Sequence, residues 1–176
     1  DLARGGPVHM HVAEQAAEVA EVRAALGARP VEWLLNNVPL DGRWCLIHCT
    51  RMDPHETVAL ARTGAVAGLC PMTEANLGDG IFDGVRWLDS GGAIAVGTDS
   101  HIRVSLAEEL RQLETSQRLR DRARAVLATS DRPSGRRLLE DTAMGGARAA
   151  GRGRGRLEVA ATADRPAPHP PPAPPP

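Results

Sequence analysis

Four times in succession a short run rich in Val, Ile, Leu, Ala and Cys gives way to a segment with helical spacing. PVHMHVA leads into EQAAEVAEVRAALGA, where Val19, Val22 and Leu26 fall on one stripe and Gly27 ends it. WCLIHCT leads into DPHETVALARTG, with Asp53 placed to cap, Pro54 in the first turn, Glu56 completing a capping box and Gly64 as the stop. AVAGLCP passes through a polar loop, MTEANLGDGIF, to a short helix around Val85 to Asp89. AIAVGTDS leads into SLAEELRQLETSQRLRDRARAVLA, the longest helical pattern, with Leu106, Leu110, Leu113 and Leu119 on one side. Parallel strands must be joined by crossovers, so this alternation predicts an α/β fold with a parallel sheet covered by helices. The nearly continuous apolar character of the strands fits burial on both faces.

Four such units make half of a (β/α)8 TIM barrel, which takes about 250 residues. The other architecture open to them is a small doubly wound sheet. Functional side chains gather at the carboxyl ends of strands in both. Here those ends carry His11, His48, Pro71 and Asp99, and only a closed barrel turns all of them towards one centre. The half-barrel is therefore expected over residues 1–128. A helical segment, including SGRRLLEDTAMGGARAA, is expected over 129–157. In the remainder, 158–176, the run RPAPHPPPAPPP can neither join a ladder nor continue a helix, so it should be extended and solvated, with His169 inert in it.

Composition narrows the partners. A chain of 176 residues can bury one core. Its net charge of -1 argues against a nucleic-acid partner. Arg118, Arg120, Arg122 and Arg124 are interrupted by Asp121 and preceded by Glu114, so they read as a solvated helix face. All basic residues are arginine, which fits a GC-rich coding sequence. No apolar run is long enough to span a membrane and no leader pattern opens the chain, so neither a span nor a signal peptide is expected. Cys45, Cys49 and Cys70 sit in apolar runs without CxxC spacing, which predicts buried thiols and a cytoplasmic protein. The start at Asp1, without an initiator methionine, reads as that of a fragment.

In VHMHVAEQ, His9 and His11 share one face of a strand, and Glu14 falls where the chain turns into its helix. Alone, they are accounted for as two packed histidines and a solvated glutamate. His48 alone is likewise most simply structural. Asp99 is harder to set aside, because a carboxylate ending a buried strand must be paired, hydrogen-bonded or metal-bound. Three such groups ending three strands of one array point to a divalent cation, since imidazole nitrogen and carboxylate oxygen both suit zinc.

The set resembles the amidohydrolase superfamily, whose single-metal deaminases place HxH on the first barrel strand, HxxE after the fifth, His at the end of the sixth and Asp at the end of the eighth. His11 with Glu14, His48 and Asp99 match the last three, which makes these strands five to eight. The first-strand HxH, two further ligands, has no counterpart here. HVAEQ, RPVEWLL, WCLIHCT, AVAGLCPMTEANLGDG, GTDSH and EELRQLETSQRLRDRARAVL together resemble the formimidoylglutamate deiminase branch over residues 7–128. LCPMTEANLGDG followed by the arginine-rich helix is the most specific part. Thr115 departs from the aromatic residue expected there. The tail from about Arg165 departs from the expected β sequence, as truncation or a shifted reading frame would produce.

The resemblance implies hydrolysis of N-formimino-L-glutamate to N-formyl-L-glutamate and ammonia, as in histidine degradation, with one divalent metal ion, zinc first among candidates. It implies His11 and Asp99 as metal ligands, and Glu14, His48 and Asp99 as catalytic residues. Asp99 would also take the proton from the attacking water, His48 would orient that water, and Glu14 would pass a proton to the departing nitrogen. Glu74, Asn76 and Arg103 are candidates for substrate binding, Arg103 having a surface ion pair as its plain alternative. His9 is expected to pack or to support the metal ligands from behind and not to bind the metal itself, and His101 to lie in a loop. A homodimer is expected when the protein is full length. The other functions open to such a chain are a deaminase or chlorohydrolase acting on a heterocyclic ring, and a non-catalytic half-barrel. Alone, the chain is expected to be inactive and either poorly soluble or dimeric, because an open half-barrel exposes strand edges and its apolar interior.

Overall fold

The computed structural model describes residues 5–152 and 155. Four strands, β1 (Val8–Val12), β2 (Trp44–His48), β3 (Val66–Leu69) and β4 (Ala93–Val96), form one sheet in the order β1-β2-β3-β4. Every pairing is parallel, with His11 opposite Ile47, Leu46 opposite Ala67 and Ala67 opposite Ile94. A doubly wound sheet reverses its strand order at a switch point. This sheet does not, and sequential order is what an arc of barrel requires.

The helices are α1 (Ala16–Leu26), α2 (Pro30–Asn37), α3 (Pro54–Arg62), α4 (Pro71–Leu77), α5 (Gly84–Asp89), α6 (Leu106–Asp121) and α7 (Ser134–Ala149). Leu46, Ala67, Leu69 and Ile94 on one face of the sheet pack with Val19, Val31, Leu34, Leu60, Trp87, Leu110 and Leu113 from the helices. The opposite face carries a small separate cluster of Cys45, Val66, Ala95 and Ala149, with Ile47 beside it. His9 and His11 lie on that second face, and both are exposed.

Helix boundaries follow the local chemistry. Glu56 Oε2 accepts the Asp53 N–H at 2.7 Å, as the expected capping box requires. Gly27 ends α1 in the left-handed conformation at φ 74°. Two expectations need correction. MTEANLGDGIF is not all loop: Pro71 starts α4, Glu109 Oε2 accepts the Met72 N–H at 2.9 Å, and Gly78 ends the helix at φ 73°. The long helix also stops earlier than its pattern suggests. Glu114 accepts the N–H groups of Val126 and Leu127, both at 3.0 Å, which folds the chain back beyond Arg122. Hence only Leu110 and Leu113 of the four leucines are buried, and Leu119 is 81% exposed. Leu26 likewise lies half outside its stripe.

The segment expected over 129–157 contributes α7, which packs against β4 and β3. Its last turn reaches the amino ends of the strands, where the Arg148 guanidinium donates to the Gly64 carbonyl and Ala149 O lies 2.7 Å from His9 Nε2. Gly145 lets the helix approach the sheet, because a Cβ there would overlap the Ile94 carbonyl. Alanine would gain up to about 1 kcal/mol in helix propensity, but overpacking against rigid backbone costs more, typically about 1–3 kcal/mol and sometimes above it. Gly145→Ala is therefore expected to lower stability by about 1–2 kcal/mol; an unchanged denaturation midpoint would contradict this packing. The expectation for the proline-rich stretch 158–176 falls outside the described residues.

Candidate active site

The carboxyl ends of the strands carry several non-glycine residues in the left-handed region: Ala13 at φ 51°, His48 at 71°, Cys49 at 54° and Asp99 at 43°. Such geometry costs of order 1–3 kcal/mol per residue and persists only where the surroundings enforce it. They do so here. After β1, Glu18 accepts the N–H groups of Ala13 and Glu14, each at 2.7 Å. Thr50 Oγ1 lies 2.6 Å from the Glu14 carbonyl, and the Arg51 N–H donates to the Ala13 carbonyl at 2.8 Å. After β4, Thr73 Oγ1 sits 2.8 Å from Ser100 Oγ and accepts the Ser100 N–H at 3.3 Å, which pins the turn that carries Asp99.

His48 is buried at 1% exposure. Its Nδ1 lies 3.3 Å from Glu74 Oε1 and its Nε2 3.6 Å from Glu14 Oε1. Glu74 Oε1 also accepts the Cys70 N–H at 2.8 Å, so the carboxylate that orients the ring is itself anchored. The His11 and His48 ring centroids are 5.4 Å apart, inclined at 43°. Asp99 is close enough for its charge to act on His48 and Glu14. His11, Glu14, His48 and Asp99 thus gather at one end of the sheet. Burial alone would pull His48 down, but the Glu74 hydrogen bond and the charges of Glu14, Glu74 and Asp99 hold it above its ordinary value. Glu14 is raised, first by burial and then by Asp79 and Asp99, with His48 opposing.

The remaining sequence candidates separate. Glu74 is buried against His48 and does not face open solvent. Asn76 is exposed on α4, and Arg103 is exposed in the loop before α6, as is His101. Residues whose part was not foreseen are Glu18, Thr50 and Thr73, which hold the turns, and Asp79, a buried carboxylate beside Glu14. The polar run that contains Asp79 was the only sequence signal for it.

The donor chemistry fits a divalent metal at His11 and Asp99: one imidazole and one carboxylate, both exposed, the His11 ring 5.4 Å from that of His48 and the Asp99 charge acting on His48. Among the described residues, the donor atoms of His48, Cys70 and Glu74 also lie within 4.8 Å of one another. That triad is a poorer site. The Cys70 thiol is pushed up to about 12, chiefly by burial, and a thiol must lose its proton to bind metal. Its geometry is explained by Glu74 bonding both to the ring and to the Cys70 backbone. All three cysteines are free and buried.

A sequential parallel arc with histidine and aspartate at its carboxyl rim defines an amidohydrolase half-barrel, and the amidohydrolase family profile matches residues 3–165. The chain belongs to the amidohydrolase family. It is 54% identical over 147 residues to formimidoylglutamate deiminase of Pseudomonas aeruginosa, a match covering 83% of this chain and 32% of that protein. It is 36% identical over 101 residues to 5-methylthioadenosine/S-adenosylhomocysteine deaminase of Nitratidesulfovibrio vulgaris, covering 56% of this chain and 23% of the relative. Among solved structures, an amidohydrolase from Brucella melitensis superposes with a TM-score of 0.82 at 51% identity, covering 84% of this chain and 33% of that one. A zinc-bound adenosine deaminase from Xanthomonas campestris superposes at 0.73 with 26% identity, covering 82% and 32%. The chain thus spans between about a quarter and a third of the length of these relatives. No helix among the described residues is long and apolar enough to cross a membrane.

Proposed function

We propose that the full-length protein, with this chain supplying strands five to eight of its barrel, hydrolyses N-formimino-L-glutamate to N-formyl-L-glutamate and ammonia. The observation that carries this reading is the 54% identity to the P. aeruginosa deiminase. The convergence of His11, Glu14, His48 and Asp99 on one rim supports it. His11 and Asp99 would hold a divalent metal, zinc being the candidate because the Xanthomonas neighbour binds it. When bound, the metal would acidify a coordinated water and polarise the reacting group.

The chain's own residues do the rest. Asp99 accepts the proton of the attacking water. His48, fixed through Nδ1 by Glu74, presents Nε2 to that water and orients it towards the formimino carbon. Glu14, raised above its ordinary range, carries a proton to the departing nitrogen so that ammonia leaves instead of amide ion. Glu74 is assigned to positioning His48 in place of touching substrate, and Asn76 and Arg103 remain candidates for the substrate's carboxylates. Glu74→Gln is expected to lower kcat about 10- to 100-fold with zinc content retained; an unchanged kcat would remove Glu74 from the machinery.

The test is ammonia release by the full-length protein from formiminoglutamate, guanine and cytosine side by side. Release from formiminoglutamate alone is expected. Preference for a ring substrate would favour a heterocycle deaminase, and release from none a non-catalytic barrel. Histidine degradation as the pathway, a cytoplasmic location and a homodimer belong to the same proposal. Expressed alone, the chain is expected to release no ammonia.

A further inference from the structure

One carboxylate at this site has no part in the reaction as described. Asp79 follows α4 at the rim, is 3% exposed, and its Oδ2 has no hydrogen-bond partner. The turn sits beside Glu14: a Cβ on Gly80, the next residue, would lie 3.8 Å from Thr50 Cβ, and Thr50 Oγ1 is 2.6 Å from the Glu14 carbonyl. The Asp79 charge is thus close enough to act on Glu14. A Cβ on Gly80 would lie 3.5 Å from the Arg51 guanidinium, yet among the described residues no cation partners Asp79 Oδ2. Its backbone N–H donates to the Glu74 carbonyl at 3.0 Å, so the turn is held by main chain and not by the carboxylate. A buried carboxylate oxygen without a donor is costly, and a second acidic group at its side makes it more so. A cation between the two removes both costs.

The geometry points to Asp79 as the anionic partner of an amidinium held beside Glu14, and we propose that Asp79 binds the cationic head of the substrate. This rests on the function proposed above. A formimino group on an alkyl nitrogen is an amidine, which is protonated at neutral pH, planar, and presents its N–H groups in a fork that matches carboxylates. The formyl product is neutral and offers no such cation. Asp79 therefore favours substrate over product, and it holds the terminal nitrogen beside Glu14, from which that nitrogen receives its proton.

The test uses zinc-loaded full-length enzyme and two competitive ligands of the same shape, the amidinium N-acetimidoyl-L-glutamate and the neutral amide N-acetyl-L-glutamate. Wild-type enzyme is expected to bind the amidinium more tightly. Asp79→Asn should weaken the amidinium about 10- to 100-fold and leave the amide within about twofold. Equal weakening of both ligands, or an amidinium preference that survives the substitution, would overturn the assignment. If Asp79→Asn does not fold, Asp79→Ser is measured in the same way, and absence of any preference in the wild type overturns the proposal without either variant. Ammonia release separates the two levels. A wild type that fails to act on formiminoglutamate sinks the functional reading and this proposal with it. A wild type that does act, beside a variant that keeps its preference, sinks only the role of Asp79.

Discussion

Asp99→Asn in the full-length enzyme is expected to lose zinc and turnover together, the rate falling by about 10³-fold or more. Asparagine keeps the size of the side chain and its tolerance of a left-handed backbone, so φ 43° at this position remains accessible. The turn is held by Thr73 and Ser100, neither of which is altered. What is removed is one negative charge on the rim. That charge is needed twice, to hold the cation with His11 and to accept the proton of the attacking water. The melting temperature of metal-free protein should change little, which separates loss of the site from loss of the fold. Zinc content by elemental analysis and ammonia release are the two readouts. Stoichiometric zinc with normal turnover would show the ligand assignment to be wrong.

Glu14→Gln should behave differently. Zinc stays, and the rate falls by about 10²- to 10⁴-fold. The amide retains the backbone contacts of the turn, since Glu18 and Thr50 bind main-chain atoms of Ala13 and Glu14 and not the Glu14 side chain. It cannot carry a proton. The raised affinity of Glu14 for its proton, caused first by burial and then by Asp79 and Asp99, suits a group that must be protonated when ammonia departs. Single-turnover ammonia release in the variant checks this, and an unchanged rate would take Glu14 out of proton transfer. Together the two substitutions distinguish a group that holds the cation from one that moves a proton.

The strands and the residues ending them were legible because their signals are local and strong. Apolar runs of four to five residues became β1 to β4, and His11, His48 and Asp99 stood out as polar groups where such runs stop. The capping box at Asp53 and Glu56 was equally local. What the pattern could not give depends on contacts far apart in the chain. Helix α4 hides in a polar stretch because its first turn is satisfied by Glu109, 37 positions onward. Glu74 read as a substrate-facing residue because nothing nearby shows that it turns inward to a histidine 26 positions earlier. Helix α6 ends early because Glu114 caps a later segment, which competes with the leucine stripe. Asp79 is a carboxylate in a glycine-rich turn, a setting that in sequence reads as solvent-facing, and only the fold buries it.

The assignment of His11 and Asp99 as metal ligands is tested most directly by the position of zinc in a crystal of the full-length protein, located by anomalous scattering at the zinc edge. A single peak is expected on the rim, about 2.0–2.2 Å from a nitrogen of His11 and a carboxylate oxygen of Asp99, with His48 nearby but not bound. A peak seated instead among His48, Cys70 and Glu74, or on a part of the barrel that neither His11 nor Asp99 reaches, would contradict it.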